Sequence, residues 1–239
     1  MGATGNSSNG SGTKLPDAIS ITSKSQIAKL QNDMGQSGNE AGYVDVSSSN
    51  KLYVNSGKSM CINAYLNSDG KTYKAEGTDW SNYINSAWVK NAIQKIDSGM
   101  KPLTESINVT RYVDAGAISS MIPGLGVNKS NIGKFIDKLE DGTISKKDFR
   151  SVLQSVDYTH KAYTSTTYDT QHGTYGNRDI RLNMVLRKGT NAIVTNNHAE
   201  HEILVGHGQK YNFTGNYSVE TVTDKSGKKK KQLVLDVYI

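Results

Sequence analysis

The hydrophobic pattern changes period partway along this chain, and that change constrains the fold more than any other feature. Before about residue 156 the apolar residues recur at helical spacing; beyond it they come in short runs separated by turn residues. The runs are 162–167, 180–186, 192–195, 201–205, 210–213, 217–222 and 232–238. Upstream, helices are expected over Pro16 to Leu30, Met60 to Leu66 and Trp80 to Ile96, and again through a polar middle from Ile118 to Val156. In the third helix Trp88, Val89, Ala92, Ile93 and Ile96 fall on one face. One early strand is expected, Ile107 to Val113. Helices first and strands after predict an α+β domain with antiparallel sheets.

A chain of 239 residues has ample material for a core. Residues 1–15, rich in Gly, Ser and Asn, bury too little and are expected to be a disordered linker. Residues 16–59 form an N-terminal extension whose role the sequence does not reveal. No stretch approaches the roughly 20 apolar residues of a membrane helix, and the N-terminus has no apolar signal core. Cys61 is the lone cysteine, so no internal disulfide forms. The net charge of +6 gathers partly in Lys225-Ser-Gly-Lys-Lys-Lys-Lys231. Without interleaved aromatics this run reads as a solvated hairpin tip, and neither nucleic acid nor a membrane is expected as partner.

Chemistry concentrates in Ala199-Glu-His-Glu-Ile-Leu-Val205. The apolar run Ile203-Leu-Val205 makes the segment read as the start of a buried strand, so alternation puts Glu200 and Glu202 on one face and His201 on the other. Paired carboxylates repel, and such pairs mark places where chemistry needs them. Arg111, in Asn108-Val-Thr-Arg-Tyr112, is a cation in a β-branched strand; its fork of donors suits an anionic phosphate. The block Tyr163-Thr-Ser-Thr-Thr167 offers hydroxyls that can stitch strands or hold a carboxylate.

Taken in order, Arg111, the aromatic-led hydroxyl block and Glu200-x-Glu202 resemble the Arg, Ser-Thr-Ser, Glu-x-Glu signature of mono-ADP-ribosyltransferases. Specifically, the set resembles the arginine-directed exotoxin branch, which includes the catalytic chains of clostridial binary toxins and related phage-borne domains. The stretches Arg181 to Thr190, His201 to Tyr211 and Ile62 to Leu66 resemble that family's flanking text, so the resemblance spans residues 60–239. Thr167 stands where Ser is commonest, and Tyr163 where Phe is frequent.

The resemblance implies two packed antiparallel sheets with flanking helices around an NAD cleft, with NAD as co-substrate and no metal. It implies transfer of ADP-ribose to an arginine of a target protein with release of nicotinamide. Glu202 would stabilise the developing positive charge on the ribose, and Glu200 would orient the guanidinium and help remove its proton. Ser165 would position Glu202, and Arg111 would grip the NAD diphosphate. Tyr112, Tyr163, Ser165, Thr166, Thr167 and Glu202 would line the NAD site beside Arg111. Val194 to Ala199 would meet the target protein, and Tyr168 to Asn177 would be a loop over NAD. Such an enzyme would act in a cytoplasm, its own cell's or that of a target cell after delivery by a longer parent chain or a separate component. An NAD glycohydrolase using the same residues, or an idle binding or assembly module, are the alternatives.

Three motifs imitate other sites. His198-Ala-Glu-His201-Glu202 lacks the spacing of a zinc helix. Asp137 to Asp148 imitates a calcium loop, but Leu139 occupies a ligand position; a helix end near Gly142 and a cap at Ser145 explain it. Pro123-Gly-Leu-Gly126 is too short for a dinucleotide fingerprint and reads as a turn.

Overall fold

Short caps and turns decide where each element starts in the computed structural model, which describes residues 12–34, 56–75, 84–169, 176–195, 201–223 and 226–239. The chain runs β1 (Ile19–Ser20), α1 (Lys24–Asp33), α2 (Ser56–Asn67), α3 (Ser86–Gly99), β2 (Lys101–Pro102), β3 (Ile107–Val113) and α4 (Ala115–Met121). It continues through α5 (Ile132–Glu140), α6 (Lys146–Gln154), β4 (Tyr158–His160), β5 (Thr164–Thr167), β6 (Ile180–Leu186) and β7 (Asn191–Val194), then β8 (Glu202–Val205), β9 (Gln209–Thr223) and β10 (Lys229–Tyr238).

The helix expected from Pro16 starts later because Ser23 and Gln26 form a capping box in front of Lys24. The helix expected from Trp80 starts at Ser86, where the Asn85 side chain accepts from the Trp88 N–H at 2.8 Å; residues 76–83 lie outside the described residues. Asp137 to Asp148 is a cap, as expected: α5 ends at Glu140, Gly142 has φ +81°, and the Ser145 side chain accepts from the Asp148 N–H. Pro123–Leu125 is a single 3₁₀ turn.

The α+β class with flanking helices is what the chain adopts, and its strands follow one hydrogen-bonded path, β2-β7-β8-β5-β3-β6-β10-β9-β4. Most pairs are antiparallel; β10 runs parallel to β6, and β1 runs parallel to β3. The segments expected as separate strands at 210–213 and 217–222 are one strand, β9, carrying a bulge opposite Asp236, with Gly215 at φ +85°.

Two cores flank the sheet. On one face α4, α5 and α6 cover apolar residues that include Val109, Val113, Leu182, Met184, Ile203 and Leu235. On the other, α2 and α3 bring Cys61, Ile62, Val89, Ala92 and Ile96 against Tyr163, Ile193 and Leu204. Among the described residues that second core covers the β7-β8-β5 end, and β3, β6 and β10 carry polar residues that include Thr110, Asn183 and Asp236 on that face. The N-terminal segment is not peripheral: Ile21, Leu30 and Met34 are buried in the first core. Thr13, at the end of the expected linker, contacts β9. The Thr13 N–H donates to the Thr214 carbonyl at 3.0 Å, and Asn216 Nδ2 donates to the Thr13 carbonyl at 3.2 Å.

Candidate active site

Register decides which side chains meet. Glu202 pairs with Thr167, Leu204 with Ser165, and Thr110 with Thr167, so Glu202, Ser165, Thr167 and Thr110 share one face. Through Thr110 opposite Asn183 and Tyr112 opposite Arg181, that face continues across β3 and β6. Glu202 therefore sits where the α2–α3 core ends and the polar stretch of the sheet begins.

The apolar run Ile203-Leu204-Val205 carries Glu202 into the interior, where it is 4% exposed. A carboxylate so buried needs donors. Ser165 Oγ donates to Oε1 at 2.6 Å, and Thr195 Oγ1 donates to Oε2 at 3.0 Å. The Thr195 N–H also donates to the Glu202 carbonyl at 3.0 Å, which closes the base of the segment between β7 and β8.

The residue before Glu202 breaks the expected alternation. His201 has φ +47°, a left-handed conformation that costs a residue with a Cβ about 1–2 kcal/mol. The strand starts only at Glu202, so the face-sharing expected of Glu200 and Glu202 does not follow from pleating. The His201 ring stacks on Tyr168, with centroids 5.1 Å apart and planes 14° apart, and its Nδ1 lies 3.5 Å from Asp169 Oδ2. Glu200, the segment 196–199 of the expected target-facing loop and residues 170–175 of the expected NAD loop lie outside the described residues.

The other candidate residues divide. Thr167 Oγ1 accepts from the Asp169 N–H at 3.1 Å. Thr166 faces the opposite core, its hydroxyl donating to the Ile203 carbonyl at 2.8 Å. Tyr163 is buried, with its hydroxyl 2.6 Å from Asp97 Oδ1. Tyr112 lies on the Glu202 face beside Arg181, and burial raises the pKa of its phenol.

Arg111 alternates with Tyr112, so its strand position points it to the face opposite Glu202, where its charge acts on Tyr158 and His160 of β4. Its Nη1 is buried without a hydrogen-bond partner among the described residues. An anion reaching it would satisfy that donor. The guanidinium on the Glu202 face is Arg181, which donates to Glu220 Oε1 at 2.6 Å and to Asn183 Oδ1 at 3.2 Å. Sequence reading assigned no role to Arg181, and gave Thr195 only a place in the target-facing segment. For Arg181 the register against β3 was the missing information; for Thr195 it was the pairing of β7 with β8.

Burial and the Asp97–Tyr163 hydrogen bond tie α3 to β5, and His207 Nε2 joins Asp97 at 3.1 Å from the turn after β8. Asp97 raises the His207 pKa, and although burial opposes it, hydrogen bonds from His207 and Tyr163 hold the Asp97 carboxyl low. Among the described residues no group of three or more His, Cys, Asp or Glu side chains is placed to hold a metal ion.

Proteins of known structure share this fold. Plx2a, an ADP-ribosyltransferase toxin from Paenibacillus larvae, has the same fold at 18% identity and TM-score 0.56, over 90% of this chain and 93% of that one. An ADP-ribosyltransferase from Clostridium botulinum matches at 17% identity and TM-score 0.57, over 93% of this chain and 98% of that one. BECa, an ADP-ribosylating toxin of a C. perfringens binary enterotoxin solved with NADH, matches at 22% identity and TM-score 0.58; this chain spans 47% of it and is covered over 89% of its own length. No curated protein matches the sequence. The family model for ADP-ribosyltransferase exoenzymes matches residues 47–239, which takes in β3, the hydroxyl block of β5 and the start of β8 together. With the signature strands adjacent in one sheet and that match spanning most of its length, the chain belongs to the ADP-ribosyltransferase exoenzyme family.

Proposed function

We propose that this chain transfers ADP-ribose from NAD to an arginine side chain of a target protein, releasing nicotinamide. The observation that carries the reading is the buried Glu202 carboxylate, held at 2.6 Å by Ser165 at the edge of a polar sheet face. Leaving nicotinamide takes the electron pair of the glycosidic bond, and positive charge grows on the ribose. A fixed carboxylate stabilises that charge without reorganising. Ser165 keeps Glu202 aimed, and a carboxylate oxygen can accept from a ribose hydroxyl.

Glu200 orients the incoming guanidinium and takes the proton that a guanidinium nitrogen loses as it bonds to the ribose carbon. A group with a pKa above about 12 needs such help, and this is what favours arginine as acceptor. Tyr112 and Thr167 line the NAD site on the Glu202 face, and Arg111 offers its buried Nη1 to an anion. The partner is a protein bearing the modifiable arginine, met by the segment between β7 and β8 in a cytoplasm. Among the described residues no helix is long and apolar enough to cross a membrane.

Labelled NAD with agmatine, a free guanidinium acceptor, tests the reading. Wild type should yield ADP-ribosyl-agmatine, and E202Q should yield neither product nor nicotinamide. E200Q should lose transfer while still releasing nicotinamide. Release without transfer in the wild type would favour a glycohydrolase, and no NAD consumption by folded protein would leave a binding module.

A further inference from the structure

We infer that Thr195 is a second positioning residue for the Glu202 carboxylate; this rests on Glu202 acting as proposed above. In the sheet order β7-β8-β5, Glu202 opens the middle strand, and each neighbour supplies one hydroxyl. Ser165 comes from β5 and holds Oε1, while Thr195 follows β7 and holds Oε2. The carboxylate is braced from both sides.

Two braces do what one cannot. The last torsion of a glutamate is soft and broad, so a single hydrogen bond at Oε1 leaves the carboxylate plane free to turn. The second bond, at Oε2, fixes the plane. Both donors are O–H groups and the acceptor is an ionised carboxylate, so the pair suits the charged form. A carboxylate oxygen can accept more than one hydrogen bond, so the two braces are compatible with one from a hydroxyl of the substrate. Thr195 is 4% exposed, so its hydroxyl needs a partner in the interior. The nearby Glu202 carbonyl already accepts from the Thr195 backbone N–H, and the hydroxyl goes to the carboxylate. T195V, T195A and T195S all keep that backbone donor, so the side chain can be tested alone.

The test measures nicotinamide release from NAD by the full chain, wild type against T195V, T195A, T195S and E202Q, with thermal midpoints for each. T195V and T195A should lower kcat by about 10- to 100-fold, with KM for NAD within about twofold, because the brace acts on the reacting state. T195S, which restores the hydroxyl, should recover kcat to within about threefold of wild type. A wild-type kcat in T195V, a T195S as slow as T195V, or a loss confined to KM would each overturn the assignment. So would failure of both T195V and T195A to fold, which would make Thr195 a structural residue. E202Q separates the two ideas: if it turns over NAD like wild type, the proposed role of Glu202 itself falls; if it is dead while T195V is normal, only the brace falls.

Discussion

His160 shows how single residues set the electrostatics behind the site. It is nearly buried between Tyr158 and Tyr211, and its Nε2 lies 3.3 Å from the Tyr163 carbonyl. A carbonyl can only accept, so Nε2 carries the proton and Nδ1 accepts from the Tyr158 hydroxyl at 2.9 Å. Burial, with the Arg111 charge in support, lowers its pKa from 6.5 to about 3. The folded protein therefore refuses a proton that the unfolded chain takes up. Stability from this residue is complete above pH 6.5 and is lost as pH falls toward about 3. At pH 5 the loss from His160 alone is about 2 kcal/mol. H160Q should cost stability at pH 7 yet remove that part of the slope. Urea unfolding of both proteins at pH 7 and pH 5 checks it: equal losses on acidification would refute the argument. His207 does not mimic the effect, because its pKa is raised by Asp97; its contribution is full below pH 6.5 and fades as pH rises.

Elements of this fold were legible in the sequence where one face is apolar and the ends carry caps. Strand Ile180–Leu186 was readable to its bounds, because its branched and apolar residues stop at a Lys-Gly turn. Both ends of β9 were readable but its continuity was not, since Thr214-Gly-Asn216 reads as a turn and the protein uses it as a bulge. The candidate site was legible as a set of residue types. Their faces were not, because register across β3, β5 and β8 is a long-range property. Glu202 and Ser165 emerged together from their motifs, whereas the displacement of Arg111 to the other face needed the pairing with Leu182. The bulge carries a prediction of its own. A Cβ added at Gly215 would lie 2.7 Å from Arg150 Cγ and 2.8 Å from Gln154 Cγ, at φ +85°. G215A should thus destabilise by about 1–3 kcal/mol through backbone strain and overpacking against α6. An unchanged thermal midpoint would mean that β9 relaxes freely there.

For the whole molecule, the open question is where the folding unit begins. The family match starts at residue 47, and the sequence signature suggests a catalytic unit from residue 60. Packing argues for an earlier start. β1 pairs with Ile107 and Asn108 at the head of β3, the strand that joins β5 to β6. Ile21, Leu30 and Met34 are 6%, 7% and 0% exposed within the core under that strand. Thr104 and Glu105, just before β3, bond to Asp33 and Lys29 of α1. Burial of three such side chains is worth about 4.5–9 kcal/mol at about 1.5–3 kcal/mol each. A domain of ordinary stability has only about 5–15 kcal/mol in total. A fragment of residues 47–239 should therefore unfold at much lower denaturant than the full chain, or lose its cooperative transition, and release nicotinamide poorly because β3 and β5 carry the site. Adding back residues 12–34 as a separate peptide should restore part of the activity if docking is the cause. A fragment with the full chain's midpoint and rate would show that the unit begins where the family match does, and that the N-terminal strand and helix only decorate it.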